Sequence, residues 1–285
     1  MVQLVHAIMN RMNLKKLWKF ATDNYFISIF FAAILFVGFV SVFRLFFTKP
    51  TYMYAKVKMG QGLWWTSTAK PSIWFVKSLK KGESEKSLTG QSIAEILSVR
   101  FYPWYNSGQF DIFLTLKLNV SSNKRTGKYN FKRSTIAVGS PIDLEFPSTQ
   151  VSGTIITLSE KPFKEQYEEK NITLVKRGGY NKDFTNMYDQ IRTGDYFFDG
   201  QDRMFTVLDK SLEKNIWSVT NNFTGQVFER DIESTQNIIV SAKIKVKKED
   251  GNYIYAEDQP LLVGRTISLA TQNYVFSDFQ LVEIK

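Results

Sequence analysis

The sequence predicts a mainly β protein: an N-terminal transmembrane helix followed by two tandem, homologous units, each a small antiparallel β-barrel or sandwich. Three observations predict it. Residues 25–43, "YFISIFFAAILFVGFVSVF", pass without a charge. After Pro50 the apolar period changes from helical to alternating. The stretch "VGSPIDL" at 138–144 returns as "VGRTISL" at 263–269, at an offset of 125 residues that runs on through both stretches.

The elements follow in chain order. Residues 1–23 read as a basic amphipathic segment, with Leu14, Leu17, Trp18 and Phe20 placed to lie in a membrane interface. Met12 offers a second start. Residues 24–48 are the span, because the uncharged run reaches about 30 Å, the thickness of a hydrocarbon core. It leaves through "FRLFFTKP", which offers no small-x-small cleavage site, so an uncleaved signal anchor fits better than a signal peptide. Arg11, Lys15, Lys16 and Lys19 precede the span, against Arg44 and Lys49 after it. That bias favours a single-pass protein of the cell membrane with a cytoplasmic N-terminus and an extracytoplasmic body.

The first β-rich repeat covers 52–165 and the second 170–285, joined by the charged stretch "SEKPFKEQYEEKN" at 159–171. In each, a strand ending at glycine (54–60, 172–179) leads to a Gly-acid pair, Gly82-Glu83 or Gly194-Asp195. Glycine there permits positive φ, and the acid accepts bonds from turn amides. Long alternating strands follow at 111–120 and 237–246. They place Ile112, Leu114, Leu116 and Leu118 on one face, matched by Ile238, Val240, Ala242 and Ile244, the pattern of a half-wet antiparallel sheet. Asp250-Gly251 is a hairpin signal. The Val-Gly strand closes each unit, with Ile142 and Leu144 matched by Ile267 and Leu269.

Ile191-Arg192-Thr193-Gly194-Asp195, Val207, Gly251-Asn252-Tyr253 and Val263 through Leu269 with Thr271 carry a family pattern. In these residues the chain resembles a family of uncharacterised bacterial proteins with one N-terminal membrane helix and a domain of unknown function. The second unit matches best; the first resembles a degenerate copy, with Glu83 in place of aspartate. The resemblance implies topology and anchoring, and it carries no catalytic residue across. The Gly-Asp and Val-Gly strand cadence is more loosely similar to the small barrels of membrane-fusion adaptors.

Composition narrows the chemistry. There are no cysteines, and the only histidine is His6, so thiolate chemistry, a histidine metal site and a Ser-His-Asp triad are excluded from the body. No cofactor, metal or catalytic residue is expected. Net charge is +5 over residues 1–50, +7 over 51–175 and −2 over 176–285, which disfavours a uniform polyanion binder, and an exported body makes nucleic acid the least expected ligand.

Two binding constellations stand out. Lys117, Lys124, Arg125, Lys128, Lys132 and Arg133 form an anion-binding hairpin for lipid headgroups or acidic glycan, or else a solvated turn. Trp64, Trp65, Trp74, Tyr102, Trp104 and Tyr105 form an aromatic contact patch, or else core. Asp195, Asp199 and Asp202 lie close in sequence without the spacing of a calcium loop. The expectation is a non-enzymatic binding or assembly module of the cell envelope, with other envelope proteins, anionic lipid or glycan as partners and oligomers allowed. The alternatives are a transport or secretion adaptor and a carboxylate-dependent glycan hydrolase.

Overall fold

A computed structural model describes residues 22–47, 50–59, 71–104, 108–123, 125–178, 183–220 and 223–285; the side chains of 42, 44–47, 183, 214–220 and 228–235 are not described. The chain divides into two compact units, Met1–Pro50 and Thr51–Lys285. The segment 1–21, expected to be amphipathic, lies outside the described residues.

The first unit contains helix α1, Tyr25–Phe47. Its 23 residues extend for about 35 Å. The side chains described in it are those of 25–41 and 43, and among described residues no helix is long and apolar enough to cross a membrane. Within it Phe26, Phe30, Leu35, Phe36 and Phe39 are all exposed, so apolar side chains occupy every side instead of one stripe.

The second unit is mainly antiparallel β. Its first half has β1 (Thr51–Met59), helix α2 (Ile73–Ser78), β2 (Ser84–Lys86), β3 (Ser92–Trp104), β4 (Gln109–Asn123), β5 (Lys128–Phe131), β6 (Ser134–Ile136), β7 (Pro141–Glu145) and β8 (Gln150–Ser159). The strands join in the order β2-β3-β4-β1-β8-β7, with β5 on the far end of β4 and β6 on β5. The second half has β9 (Glu168–Lys176), helix α3 (Asp183–Gln190), β10 (Tyr196–Phe198), β11 (Arg203–Thr220), β12 (Val227–Glu249), β13 (Asn252–Tyr255), β14 (Gln259–Pro260), β15 (Leu269–Ala270), β16 (Val275–Phe276) and β17 (Gln280–Ile284). Here β12 lies between β11 and β9, β17 joins β9, and β13 and β14 continue from the far end of β12. Past Lys214, β11 and β12 run on as a two-stranded ribbon from Ile216↔Asp231 to Thr220↔Val227. The last residue is tied in as well, with Lys285 and Asn171 exchanging backbone bonds of 2.8 and 3.1 Å.

The alternation read from sequence determines the core. Ile112, Leu114, Leu116, Leu118, Ile238, Val240, Ala242 and Ile244 are all 0% exposed. Local bonding follows the motifs in both halves. Gly82 donates to Ile96 O (2.8 Å) and Ile96 to Glu83 O (2.9 Å); Gly194 donates to Val207 O (2.9 Å) and Val207 to Asp195 O (2.8 Å). The acid then reaches a distant turn: Ser148 donates to Glu83, and Asn273 to Asp195 at 2.9 Å. Gly139 donates to Ile155 O (2.8 Å) and Gly264 to Leu281 O (2.7 Å). Leu144↔Val151 and Leu269↔Phe276 are paired across their hairpins, 125 residues apart.

The stretch 159–171, expected to act as a linker, is instead built into the body: β9 starts at Glu168, Glu165 is bonded to Lys56 and Lys247, one in each half, and Tyr167 donates to Glu257. Among the described residues the first half is one sheet whose ends, β2 and β7, stay open, and the second is a sheet with a separate β15–β16 hairpin, so neither closes into a barrel.

Gly139 and Gly264 have φ of 88° and 89°, with open space where a Cβ would go. Replacing either with alanine is expected to cost about 1 kcal/mol, nearly the same at both sites, because only backbone strain is added. Gly153→Ala is expected to cost more, since its Cβ would lie 2.6 Å from Val57 Cγ1 and 2.7 Å from Lys58 O. Urea denaturation of the three variants checks both statements.

Candidate functional site

The halves meet at the end of β3. Phe101 N donates to Asp199 O at 3.0 Å, so the strand is bonded to the β10–β11 turn. Beside it the Asp199 carboxylate, 0% exposed, accepts from Arg100 Nη1, from Tyr102 Oη at 2.8 Å, and from the Gln201 and Asp202 amides at 2.8 Å each. Arg100 Nη2 also reaches Asp202 Oδ2 at 2.9 Å, and Lys245 Nζ reaches Asp202 Oδ1 at 3.2 Å. Burial works against ionisation of Asp202, but bonds from Arg100 and Lys245 outweigh it and hold the carboxyl below the ordinary aspartate value. Burial pushes the Tyr102 hydroxyl up, and the Asp199 charge pushes it further, so it stays a donor.

A second lock alternates charge. Lys56 of β1 bonds Glu165 (2.6 Å) and Glu257 (2.9 Å); Lys247 of β12 bonds the same two acids (2.5 and 2.6 Å). Burial opposes ionisation of Glu165 and Glu257, yet the two lysines hold both carboxyls below the ordinary glutamate value. Arg100 and Lys247 both lie 5.2 Å over the Tyr167 ring. Every one of these polar groups is bonded to another.

Two clefts flank the end of β3. One, about 480 Å³, has walls that include Phe101, Phe110, Phe197, Phe198 and Val275, with Gln109, Thr271 and Gln272 as uncharged polar points. The other, about 430 Å³, is polar: Lys58, Asp111 and Asp258 lie beside Tyr102 and Trp104. Lys58 Nζ is 3.8 Å from Asp111 Oδ1 and is also bonded to Asp258.

The residues singled out from sequence are scattered. Of the basic hairpin, Lys117 is half-buried with its ammonium 4.2 Å over Tyr52, and Lys132 bonds Glu85 (2.5 Å) and Asp143 O (3.0 Å). Arg125 and Lys128 are exposed around the β4–β5 turn and Arg133 is exposed in the β5–β6 turn; Lys124 lies outside the described residues. Among the described members, Lys117 and Lys132 thus have partners of their own, while Arg125, Lys128 and Arg133 face solvent. Of the aromatic patch, Trp74 is exposed on α2 and Trp104 walls the polar cleft. Tyr102 is a correction: it is 4% exposed, packed on Phe113, Phe197 and Tyr255, and bonded to Asp199. Trp64, Trp65 and Tyr105 lie outside the described residues. Asp199 and Asp202 are consumed by Arg100 and Lys245, and among the described residues no group of acids could hold a metal. Sequence reading missed the Arg100–Asp199 lock and both clefts, because their partners are separated by about a hundred residues and no spacing rule links them.

Arg100→Met is expected to lower stability by about 3–5 kcal/mol, since it leaves the Asp199 carboxylate buried without its cation. With Glu165, Glu257 and Asp202 held below their ordinary values, 4.5, 4.5 and 3.8, their stabilisation is complete above those values and is lost as pH falls through the lower folded-state ones. The urea midpoint is therefore expected to fall steeply below about pH 4, and a Lys56→Met, Lys247→Met double variant to flatten that limb.

Comparison with protein-family models, with curated proteins and with solved structures yields no match.

Proposed function

We propose that this chain is a single-pass membrane protein whose body, a duplicated β module outside the cytoplasm, binds a ligand or partner of the cell envelope without catalysing a reaction. One observation carries the reading: among the side chains described in α1, those of 25–41 and 43, large apolar ones are exposed on every side, which suits lipid and not water. The basic residues before the span set the orientation. Duplication is supported by the matched strand connections and by the three pairs of backbone bonds described above that recur in both halves. Binding is supported by two clefts whose walls come from both halves, one of them without a charged side chain among its described lining residues.

The polar cleft favours a second reading, a carboxylate-dependent glycan hydrolase. It holds Asp111 and Asp258 beside Trp104, an arrangement that would suit a sugar ring stacked between acids. Against it, Lys58 is ion-paired with both carboxylates, so neither acid stands free in the cleft.

Because the chain has no cysteine, single-cysteine variants report topology cleanly. A membrane-impermeant maleimide is expected to label Ser122→Cys, exposed on β4, in intact cells, and Gln3→Cys only after permeabilisation. The reverse pattern would refute the orientation. Glycan turnover by the wild-type chain that is lost in Asp111→Asn would replace the non-enzymatic reading with the second one.

A further inference from the structure

Taking from the binding-module reading only that the apolar cleft is a ligand site, we propose that it holds one long acyl chain whose anionic head lies against Arg203. The walls set the class of the chain. Among the described residues no charged side chain lines the cleft, and its polar points are amides and hydroxyls. A charged group carried into it would lose hydration without gaining a partner. A peptide would bring backbone donors and acceptors that need pairing, whereas a hydrocarbon chain brings none. At the mouth Ile73 is 39% exposed and Phe198 50%, so the apolar surface continues outward beyond the enclosed volume. About 480 Å³ is in the range that small ligands fill.

The head is set by one cation. Arg203 is paired with Phe198 across the β10–β11 hairpin, and its guanidinium lies 4.0 Å over the ring of Tyr196. Both of those residues line the cleft. Arg203 is exposed and forms no ion pair among the described residues, unlike Arg100, Lys56 and Lys247 of the interface. A lone guanidinium at the edge of an uncharged apolar cleft complements a single-chain carboxylate amphiphile.

The test uses the full chain in lipid nanodiscs, photolabelled with a diazirine analogue of palmitate and mapped by peptide mass spectrometry. Label is expected to concentrate on peptides that carry Phe101, Phe110, Phe197 and Val275. Phe198→Gln, a change at an exposed rim position that leaves the core intact, is expected to reduce it. Arg203→Glu is expected to reduce palmitate labelling about tenfold, the loss of one charge-assisted contact, while leaving the methyl ester analogue unchanged. Label spread evenly over the body, or unaffected by both variants, would overturn the proposal. So would equal labelling of the wild type by acid and ester, or preference for a two-chain anionic phospholipid probe. Maleimide accessibility does not depend on any of these results, so failure here leaves the membrane orientation standing and failure there leaves the cleft standing.

Discussion

A carboxylate with no solvent contact must find in the protein the partners that water would have given it, and Asp199 shows what that requires. Two of its donors are amides of its own turn, and two, Arg100 and Tyr102, come from a strand about a hundred residues earlier. Neither half can satisfy that group alone. Apolar burial supplies most of the free energy of the body, but burial tolerates many arrangements, whereas this constellation closes in one. Gly200 is part of the same fit: with φ of 101°, its missing Cβ would lie 2.7 Å from Val99 O. The ring of Lys56, Glu165, Lys247 and Glu257 fixes the joint at a second point.

With the joint so fixed, the tip of β3 becomes a partition. On one side lie aromatic rings in a lining that, among the described residues, carries no charged side chain, on the other Lys58 with two aspartates. Pro103 lines both clefts. The two spaces thus differ sharply in polarity while sharing one wall, and each takes that wall's geometry from the ionic lock beneath it.

What could be read in the sequence is what local periodicity and turn chemistry control. The alternation at 112–118 and 238–244 put all eight side chains inside. Asp250-Gly251 turns as a hairpin, with φ of 48° and 84°. The Gly-acid pairs announced a turn, although not that the acid would clamp a second hairpin. What stayed hidden depends on the fold. Tyr102 looked like one of several surface aromatics, and only strand placement sends it inward to Asp199. Lys132 and Arg133 looked like part of a basic cluster, but they are the two central residues of a tight hairpin, at φ of 46° and 70°, and Glu85 takes up the charge of Lys132. Helices α2 and α3, at six and eight residues, are too short to declare a 3.6-residue period.

Strand β17 pairs with β9, the strand that opens the second half, so the chain's latest segment completes the sheet begun more than a hundred residues before. During synthesis the earlier half can pair its own strands while Phe113 and Tyr102 still wait for the core that will cover them. In the later half one edge of β9 stays bare until β17, Gln280–Ile284, has been made, as the matching edge of β1 waits for β8. Completion of that sheet therefore waits for β17, and until it pairs the bare edge of β9 is open to the wrong neighbour.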